Sequence, residues 1–539
     1  MSDTFSELSK NIAQNFIQSI LFVDDKAYNP IQNDHPFDVK RMIKESAGRG
    51  IIATAYAPEI QEDLIHIVEV GKKADVIVLD WRMDVNDASS SEQDDEEEDV
   101  ADHRGDFAIG VIKKIIDYTQ AGDSADLLKL IFIYTGEKGL QRICTDLHAE
   151  LVSFEQLDDF SLLCGGIRIS IWAKEILSPS FKHMPENKKR LRSYTQLLDE
   201  IPTEYAKVSS GLLSNTCLEA LTLLRDNTYK LLANFSPSLD PAFASHRAML
   251  RTPNDAGDLL RETICGELNS ILANADISQR VSSATMHEWV LSRDFVDTEI
   301  TVKNGTQTTA ATTITIDAEK RSFWQKNGYL ALLTRELDEA GGPLLKKKEI
   351  DKCERDQLKK HACESFAPQG DTTAGINEEF SILTHHKRNY LSSEKPPSLT
   401  LGSVVKDGER FLLCIQQRCD SVRIADEDRR KFLFLPLKPN EQNFDVLFKN
   451  GSQGYTRLST CDKECHSLEI VKFSPVEGSG IVQAQKEKGV YYFVGGASGD
   501  EKFQWILDLK EAHAQRIVNN FAANLARVGL DESEWLRRT

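Results

Sequence analysis

The N-terminal third of the chain alternates short apolar runs with segments of helical periodicity. The runs are nearly continuous and rich in β-branched residues, which is typical of strands buried on both faces of a parallel sheet. Amphipathic helices are predicted between them, over about 37–47, 58–72, 105–120 and 138–152. This order predicts a doubly wound α/β domain over residues 1–180. The apolar runs are residues 19–23, 50–55, 75–79, 128–134 and 166–172.

The pattern changes twice beyond this domain. Residues 185–397 are predicted to be mostly helical, with a β-hairpin near 299–317 whose turn is Asn304-Gly305. Pro396-Pro397 marks a boundary, and residues 398–539 are predicted to form a β-rich domain closed by a helix from about 507 to 538. The chain is therefore expected to contain an α/β, a helical and a β-rich region.

An acidic, Ser-rich tract at residues 84–103 interrupts the α/β pattern directly after the third predicted strand. The tract cannot bury enough apolar surface to offset the entropy lost on ordering, so we expect a mobile loop insertion. Such a loop would either repel or screen a partner that approaches this end of the sheet, or act only as a solvated connection.

Composition narrows the functional classes. Lys and Arg number 65 against 84 Asp and Glu, a net charge of −19, which argues against broad binding to nucleic acid or anionic membranes. No stretch reaches the ~18 apolar residues of a membrane span. The 10 cysteines in 539 residues are too sparse for a disulfide scaffold. We therefore expect a cytoplasmic protein with neither a nucleic-acid nor a membrane partner.

Chemically active side chains follow four of the five predicted strands. Asp24-Asp25 follows the first strand, Asp80 the third, Thr135 the fourth and Lys174 the fifth. The carboxyl ends of parallel strands share one edge, so these side chains are expected to lie together. Three converging carboxylates need a hard divalent cation such as Mg²⁺, while a hydroxyl and an ammonium group suit a phosphoryl oxygen. The set predicts phosphoryl transfer onto a carboxylate, although each aspartate alone is more often a turn former or helix cap.

This order resembles the receiver domain of two-component response regulators, which has a flavodoxin-like fold and accepts a phosphoryl group from a histidine kinase. The resemblance covers about residues 15–180. It implies a phosphoprotein that promotes its own aspartyl phosphorylation. We recognise no separate catalytic domain in the sequence and do not expect an enzyme. The matching segments are Ile20-Leu-Phe-Val-Asp-Asp25, Val76-Ile-Val-Leu-Asp-Trp-Arg-Met83, Ile131-Phe-Ile-Tyr-Thr-Gly-Glu137 and Ile169-Ser-Ile-Trp-Ala-Lys174.

The resemblance implies a role for each residue at the strand ends. Asp80 would be the phosphoacceptor, Thr135 would bind the phosphoryl group, and Lys174 would pair with it. Mg²⁺ would be held by the carboxylates of Asp24, Asp25 and Asp80 and by the main-chain carbonyl of Arg82.

Two positions depart from the receiver pattern. Glu175 follows the lysine where the family usually has proline. Ile171 occupies the position of the aromatic residue that usually reports the active state, with Trp172 one place away. The usual aromatic switch is therefore not expected.

A second resemblance lies in residues 412–423 and 432–437. These segments are similar to the C-terminal region of large receiver proteins in Detocs-type bacterial anti-phage systems. Such systems pair a histidine kinase with an effector receiver and with a second receiver, DtcB, that lacks an effector domain. The resemblance to DtcB implies a phosphate buffer in antiviral defence, with the effector receiver as a companion.

Other interpretations remain open. Residues 185–539 could hold an unrecognised effector activity under receiver control, or the receiver could be a non-phosphorylated binding module. His385-His386 could act as relay histidines, but adjacent histidines beside basic residues more often belong to a polar surface. Cys461, Cys465 and His466 are close enough for zinc, but no second ligand pair is evident.

Overall fold

Contacts divide the chain into two compact units, Met1–Leu358 and Lys359–Thr539. Most of the acidic tract, the Asn304-Gly305 turn and the Cys461–His466 group lie outside the described residues. The computed structural model describes residues 4–28, 37–83, 85, 105–120, 128–175, 184–250, 253–303, 311–339, 359–369, 373–388, 396–441, 444–451, 454–460 and 468–525.

An eight-stranded sheet forms the centre of the first unit, within the residues that the structure describes. The strand order is β2-β1-β3-β4-β7-β6-β5, with β8 pairing β7. Strands β1, β2, β3, β4, β7 and β8 pair in parallel, whereas β5 and β6 form an antiparallel extension next to β7. The parallel α/β prediction is confirmed. The strands are β1 Ser19–Val23, β2 Ile52–Tyr56, β3 Val76–Leu79, β4 Lys129–Thr135, β5 Glu155–Asp158, β6 Ser161–Cys164, β7 Ile167–Lys174 and β8 Leu191–Arg192.

Helices cover both faces of this sheet. Successive strand residues point to opposite faces, so Ile20 and Phe22 join one core while Leu21 and Val23 join the other. Apolar residues of α3, α4 and α5 belong to the second core, and those of α1, α2 and α6 to the first. The helices are α1 Thr4–Phe16, α2 Val39–Gly48, α3 Asp63–Gly71, α4 Asp106–Gln120, α5 Leu140–Glu150 and α6 Tyr194–Ser209.

Helix α6 completes the α/β layer beyond residue 180, where the sequence prediction ended the domain. Its residues Leu197, Leu198 and Ile201 are buried against the sheet. A buried ion pair also joins the helix to β7, because Arg168 Nε lies 3.0 Å from Glu204 Oε2 and the two side chains are only 6% and 2% exposed. The α/β layer therefore extends at least to Ser209.

Helices continue beyond α6, and an antiparallel strand pair interrupts them. Helix α7 is tied to the α/β layer, since Asn215 donates to Ser9 and Arg225 pairs with Asp75 at 3.1 Å. The elements are α7 Leu212–Asn234, α8 Asp240–Met249, α9 Ala256–Asn274, α10 Ser283–Leu291, β9 Thr298–Lys303, β10 Ala311–Ile316, α11 Ala318–Asn327 and α12 Tyr329–Glu339.

The second unit contains a closed six-stranded barrel, β11-β12-β13-β16-β18-β19, in which β19 pairs back with β11. Phenylalanines from β13, β16, β18 and β19 fill its interior. The elements are α13 Lys359–Ser365, α14 Ile376–His385, β11 Ser403–Asp407, β12 Arg410–Cys414, β13 Arg430–Pro439, β14 Val446–Lys449, β15 Tyr455–Thr460, β16 Glu469–Phe473, β17 Gln485–Glu487, β18 Val490–Gly495, β19 Glu501–Asp508 and α15 Glu511–Leu525.

Two boundaries differ from the sequence prediction. The closing helix begins at Glu511, because Phe503 and Leu507 still belong to β19. Phe503 packs in the barrel interior, and Leu507 packs in the core that includes Ala514 and Ile517 of the helix. Residues 359–397, which the sequence assigned to the helical region, group with the barrel. Helix α14 packs there, with Glu379 accepting a hydrogen bond from Tyr455 at 2.7 Å. None of the described helices combines the length and apolar character that a membrane crossing requires.

We predict that Glu204→Gln destabilises the contact between α6 and β7. The change leaves Arg168 buried without its counter-charge, which costs about 3 kcal/mol. Hydrogen exchange of β7 and α6 peptides in the full-length chain should accelerate accordingly. Glu200→Gln is the matched control, because its pair with Arg192 is partly exposed and contributes at most about 1 kcal/mol. Equal acceleration in both variants would contradict the structural role of the buried pair.

Candidate functional site

Three carboxylates meet at the carboxyl ends of β1 and β3. The register pairs Val23 with Leu79, so the residues that follow these strands become neighbours. One ligand oxygen each from Asp24, Asp25 and Asp80 lies within 4.8 Å of the others. The sequence prediction that these side chains converge therefore agrees with the geometry.

Lys174 joins two of these carboxylates. Its Nζ donates to Asp24 Oδ2 at 2.7 Å and to Asp80 Oδ2 at 2.5 Å. The lysine follows Ala173 at the end of β7, and Thr135 pairs with Ala173 across the sheet, so Lys174 and Thr135 reach the same edge. Lys174 is only 3% exposed, so its charge acts in a poorly solvated environment where ion pairing is strong.

Burial and neighbouring charges shift the pKa values of Asp80, Asp24 and Lys174. Burial raises the pKa of Asp80 to about 6, with Asp24 and Asp25 adding repulsion and Lys174 acting in the opposite direction. Burial also disfavours the charged form of Asp24, but Lys174, Tyr194 and the Lys26 amide outweigh it and hold the pKa of Asp24 below its usual value. For Lys174, burial is outweighed by Asp80 and Asp24, which raise its pKa. The site therefore favours a charged lysine between carboxylates.

The carboxylate cluster has the donor set that a magnesium ion prefers. Mg²⁺ prefers oxygen ligands at 2.0–2.1 Å in octahedral geometry, so opposite ligands stand about 4.2 Å apart. One oxygen from each of the three carboxylates lies within 4.8 Å of the others, so the oxygens surround one small region. Arg82, whose carbonyl the resemblance assigns to the metal, lines the same cleft. The residues at this site therefore fit a magnesium ion.

The cleft above the carboxylates has a volume of about 330 Å³. Thr135 lines it, and its Oγ1 accepts a hydrogen bond from the Glu137 amide at 3.2 Å. Four cationic side chains also line the cleft, namely Lys26, Arg82, Lys138 and Lys174. Cations and a hydroxyl around buried carboxylates make a cleft that can take a phosphoryl group beside a carboxylate nucleophile.

The sequence did not point to Tyr194, which also reaches the site. Its hydroxyl donates to Asp24 Oδ2 at 2.8 Å, the same oxygen that Lys174 contacts. The ring stacks on Phe37 with centroids 4.1 Å apart and meets Tyr134 edge-on at 4.6 Å. The capping box that Ser193 forms with Gln196 is a local signal that α6 begins here, but it carries no information about contact with Asp24.

The aromatic pattern of β7 follows from strand alternation. Ile171 is buried in the core shared with α3, α4 and α5, whereas Trp172 faces the opposite core. The guanidinium groups of Arg190 and Arg192 lie 4.8 and 5.2 Å from the Trp172 ring centroid. Trp172 is therefore held in a cation–π arrangement on the α6 side of the sheet.

The histidines considered for a relay lie in packed positions of the second unit. His385 stacks on His513 with ring centroids 3.8 Å apart, and burial next to that ring lowers the pKa of His385 to about 4. This packing favours a structural role for His385. In the part of the chain that the structure describes, the one metal-type cluster of His, Cys, Asp and Glu is that of Asp24, Asp25 and Asp80.

Part of the chain matches a known family. Residues 16–178 match the model of the response receiver domain. No curated protein and no solved structure matches the chain. The matched range contains the five residues predicted at the strand ends and ends before Tyr194. The first unit therefore contains a receiver domain, which indicates a phosphoacceptor role in two-component signalling.

We predict that Mg²⁺ binds weakly at the three carboxylates, because water must fill the remaining ligand positions. Titration should change the fluorescence of Trp81, which follows Asp80 directly. Asp25→Asn should weaken binding by roughly tenfold or more, since it removes one of three charged ligands.

Glu137→Gln is the control for this titration. Glu137 lines the same cleft but stands outside the three-carboxylate cluster, so its removal should leave the affinity within about twofold. A titration curve of Asp25→Asn that coincides with that of the wild type would exclude this metal site.

Proposed function

We propose that this protein accepts a phosphoryl group from a histidine kinase onto Asp80. The observation that carries the proposal is the ion-paired group of Lys174, Asp24 and Asp80 within a matched receiver domain. The cleft beside Asp80 leaves room for a donor, and the cationic side chains around it suit the charge of a phosphoryl group.

In this reaction a carboxylate oxygen of Asp80 attacks the phosphorus of a phosphohistidine. The new P–O bond forms as the P–N bond breaks, and the imidazole nitrogen keeps the electron pair. The leaving histidine becomes neutral because its ring either already carries a proton on the other nitrogen or takes one from solvent. Lys174 moves its charge toward the phosphoryl oxygens, and the Thr135 hydroxyl donates to one of them. Mg²⁺, when bound, supplies positive charge that offsets the negative charge of the transferred group. Catalysis here depends on positioning and electrostatics, so no separate enzymatic domain is needed.

We predict one phosphorylation site at Asp80. Incubation of the full-length protein with acetyl phosphate and Mg²⁺ should add one acid-stable, base-labile phosphoryl group, measured by intact mass spectrometry. Asp80→Asn removes the nucleophilic oxygen at nearly constant volume and should abolish the addition.

Asp199→Asn makes the same chemical change at an exposed surface position and should be phosphorylated like the wild type. If phosphorylation persists in Asp80→Asn, a residue other than Asp80 is the acceptor. A wild type that takes no phosphoryl group would favour the pseudo-receiver binding module instead.

We further propose that the protein acts as a phosphate buffer in a cytoplasmic anti-phage pathway. The support is the similarity of residues 412–423 and 432–437 to the buffer receivers of Detocs-type systems, which operate with a histidine kinase and a companion effector receiver. A buffer needs only an accepting site that competes for the donor. The one metal-type cluster among the described residues lies at that site, which fits this role.

We predict that overproduction of the wild type suppresses signalling to a companion effector receiver, whereas deletion makes the pathway respond more readily. Asp80→Asn should behave like the deletion because it cannot drain phosphoryl groups. Lys174→Ala should fall between the two, since Lys174 positions the group without accepting it. Growth of cells that contain an active kinase measures the outcome. If overproduction arrests growth and this arrest requires residues 185–539, the protein is an effector and the buffer proposal is wrong.

A further inference from the structure

The oxygen Asp24 Oδ2 accepts hydrogen bonds from two side chains that belong to different parts of the fold. Lys174 reaches it from the end of β7 at 2.7 Å, and Tyr194 reaches it from the first position of α6 at 2.8 Å. The other carboxylate oxygen, Oδ1, accepts the Lys26 amide at 3.0 Å. Asp24 therefore connects the phosphorylation site directly to the start of α6.

The Tyr194 ring has little freedom to leave this position. It is stacked on Phe37 and meets Tyr134 edge-on, while the Tyr134 hydroxyl donates to the Arg192 carbonyl at 2.6 Å, two residues before Tyr194. Ser193 and Gln196 form a capping box that fixes the first turn of α6. Movement of the Tyr194 hydroxyl must therefore involve the backbone at the start of α6.

Phosphorylation of Asp80 changes how strongly Lys174 and Tyr194 each bind the Asp24 carboxylate. Lys174 contacts Asp80 as well as Asp24, so a phosphoryl group on Asp80 draws the ammonium toward its oxygens. Asp24 then loses part of its ion pair while it remains largely buried. A buried carboxylate that loses one donor depends more strongly on those that remain, because an unsatisfied buried charge is unfavourable.

We propose that Tyr194 is a positioning residue that holds Asp24 when Lys174 turns to the phosphoryl group and thereby transmits the state of the site to α6. The inference rests on the proposed phosphorylation of Asp80. The effect reaches beyond the matched receiver range, because α6 packs on α1 and β7 and leads directly into α7.

Hydrogen exchange of α6 in the full-length protein tests the proposal. Peptides that cover residues 194–209 are compared before and after treatment with acetyl phosphate, with Mg²⁺ present in both samples, and intact mass is measured on the same samples. In the wild type, exchange at the start of α6 should slow on the order of threefold as the Tyr194–Asp24 bond strengthens. In Tyr194→Phe, which keeps the ring but lacks the hydroxyl, phosphorylated and untreated protein should exchange alike.

Tyr205→Phe is the matched control. It removes a hydroxyl from the same helix, where Tyr205 is buried against Phe16 and outside the cleft, so its α6 should respond like the wild type. Slowing in phosphorylated Tyr194→Phe equal to that of the wild type would overturn the inference, as would loss of the response in Tyr205→Phe. Absence of a mass gain in the wild type would instead overturn the phosphoacceptor function, and the inference with it.

Discussion

The α/β unit depends on how negative charge is balanced at one edge of its sheet. Asp24, Asp25 and Asp80 are held together by the register of β1 and β3, and mutual repulsion would separate them without a compensating charge. Lys174 supplies that charge from β7. Strand order, strand length and the return of the chain along β7 together place one ammonium group between two carboxylates. The same imbalance of three negative charges against one positive charge is the electrostatic basis for the predicted binding of a divalent cation.

Much of this arrangement was predictable because it depends on local patterns. Apolar runs of strand length and the residues directly after them gave the parallel strands and the positions of Asp24, Asp80, Thr135 and Lys174. The antiparallel strands β5 and β6 were missed because β5 carries no apolar periodicity and all its residues are exposed. Tyr194 was missed because its contact spans 170 residues of sequence, and only the tertiary fold brings α6 to Asp24.

In the barrel of the second unit, the strands were likewise predictable from local sequence, whereas the pairing of strands far apart in the chain was not. Its apolar strands were visible in the sequence, and the β-rich prediction is confirmed. Closure depends on the pairing of β11 with β19, whose residues Ser403 and Asp508 stand about a hundred positions apart. β19 was assigned in part to the closing helix, since residues near 507 precede a helical segment. Pairing partners at such distances are set by the whole core and not by the strand itself.

The exposed strand β5 has a consequence for association between molecules. A strand at the edge of a sheet has backbone N–H and C=O groups on its outer side that are unpaired, and another chain can add a strand there. Here that edge carries Glu155 and Asp158, so a second copy that approached edge to edge would bring like charges together. The acidic character of the whole chain adds to this repulsion. The β5–β6 extension covers residues 167–170 of β7, and β8 covers Ala173 and Lys174. The strand that carries the ammonium group therefore lies in the interior of the sheet, shielded from intermolecular β-pairing.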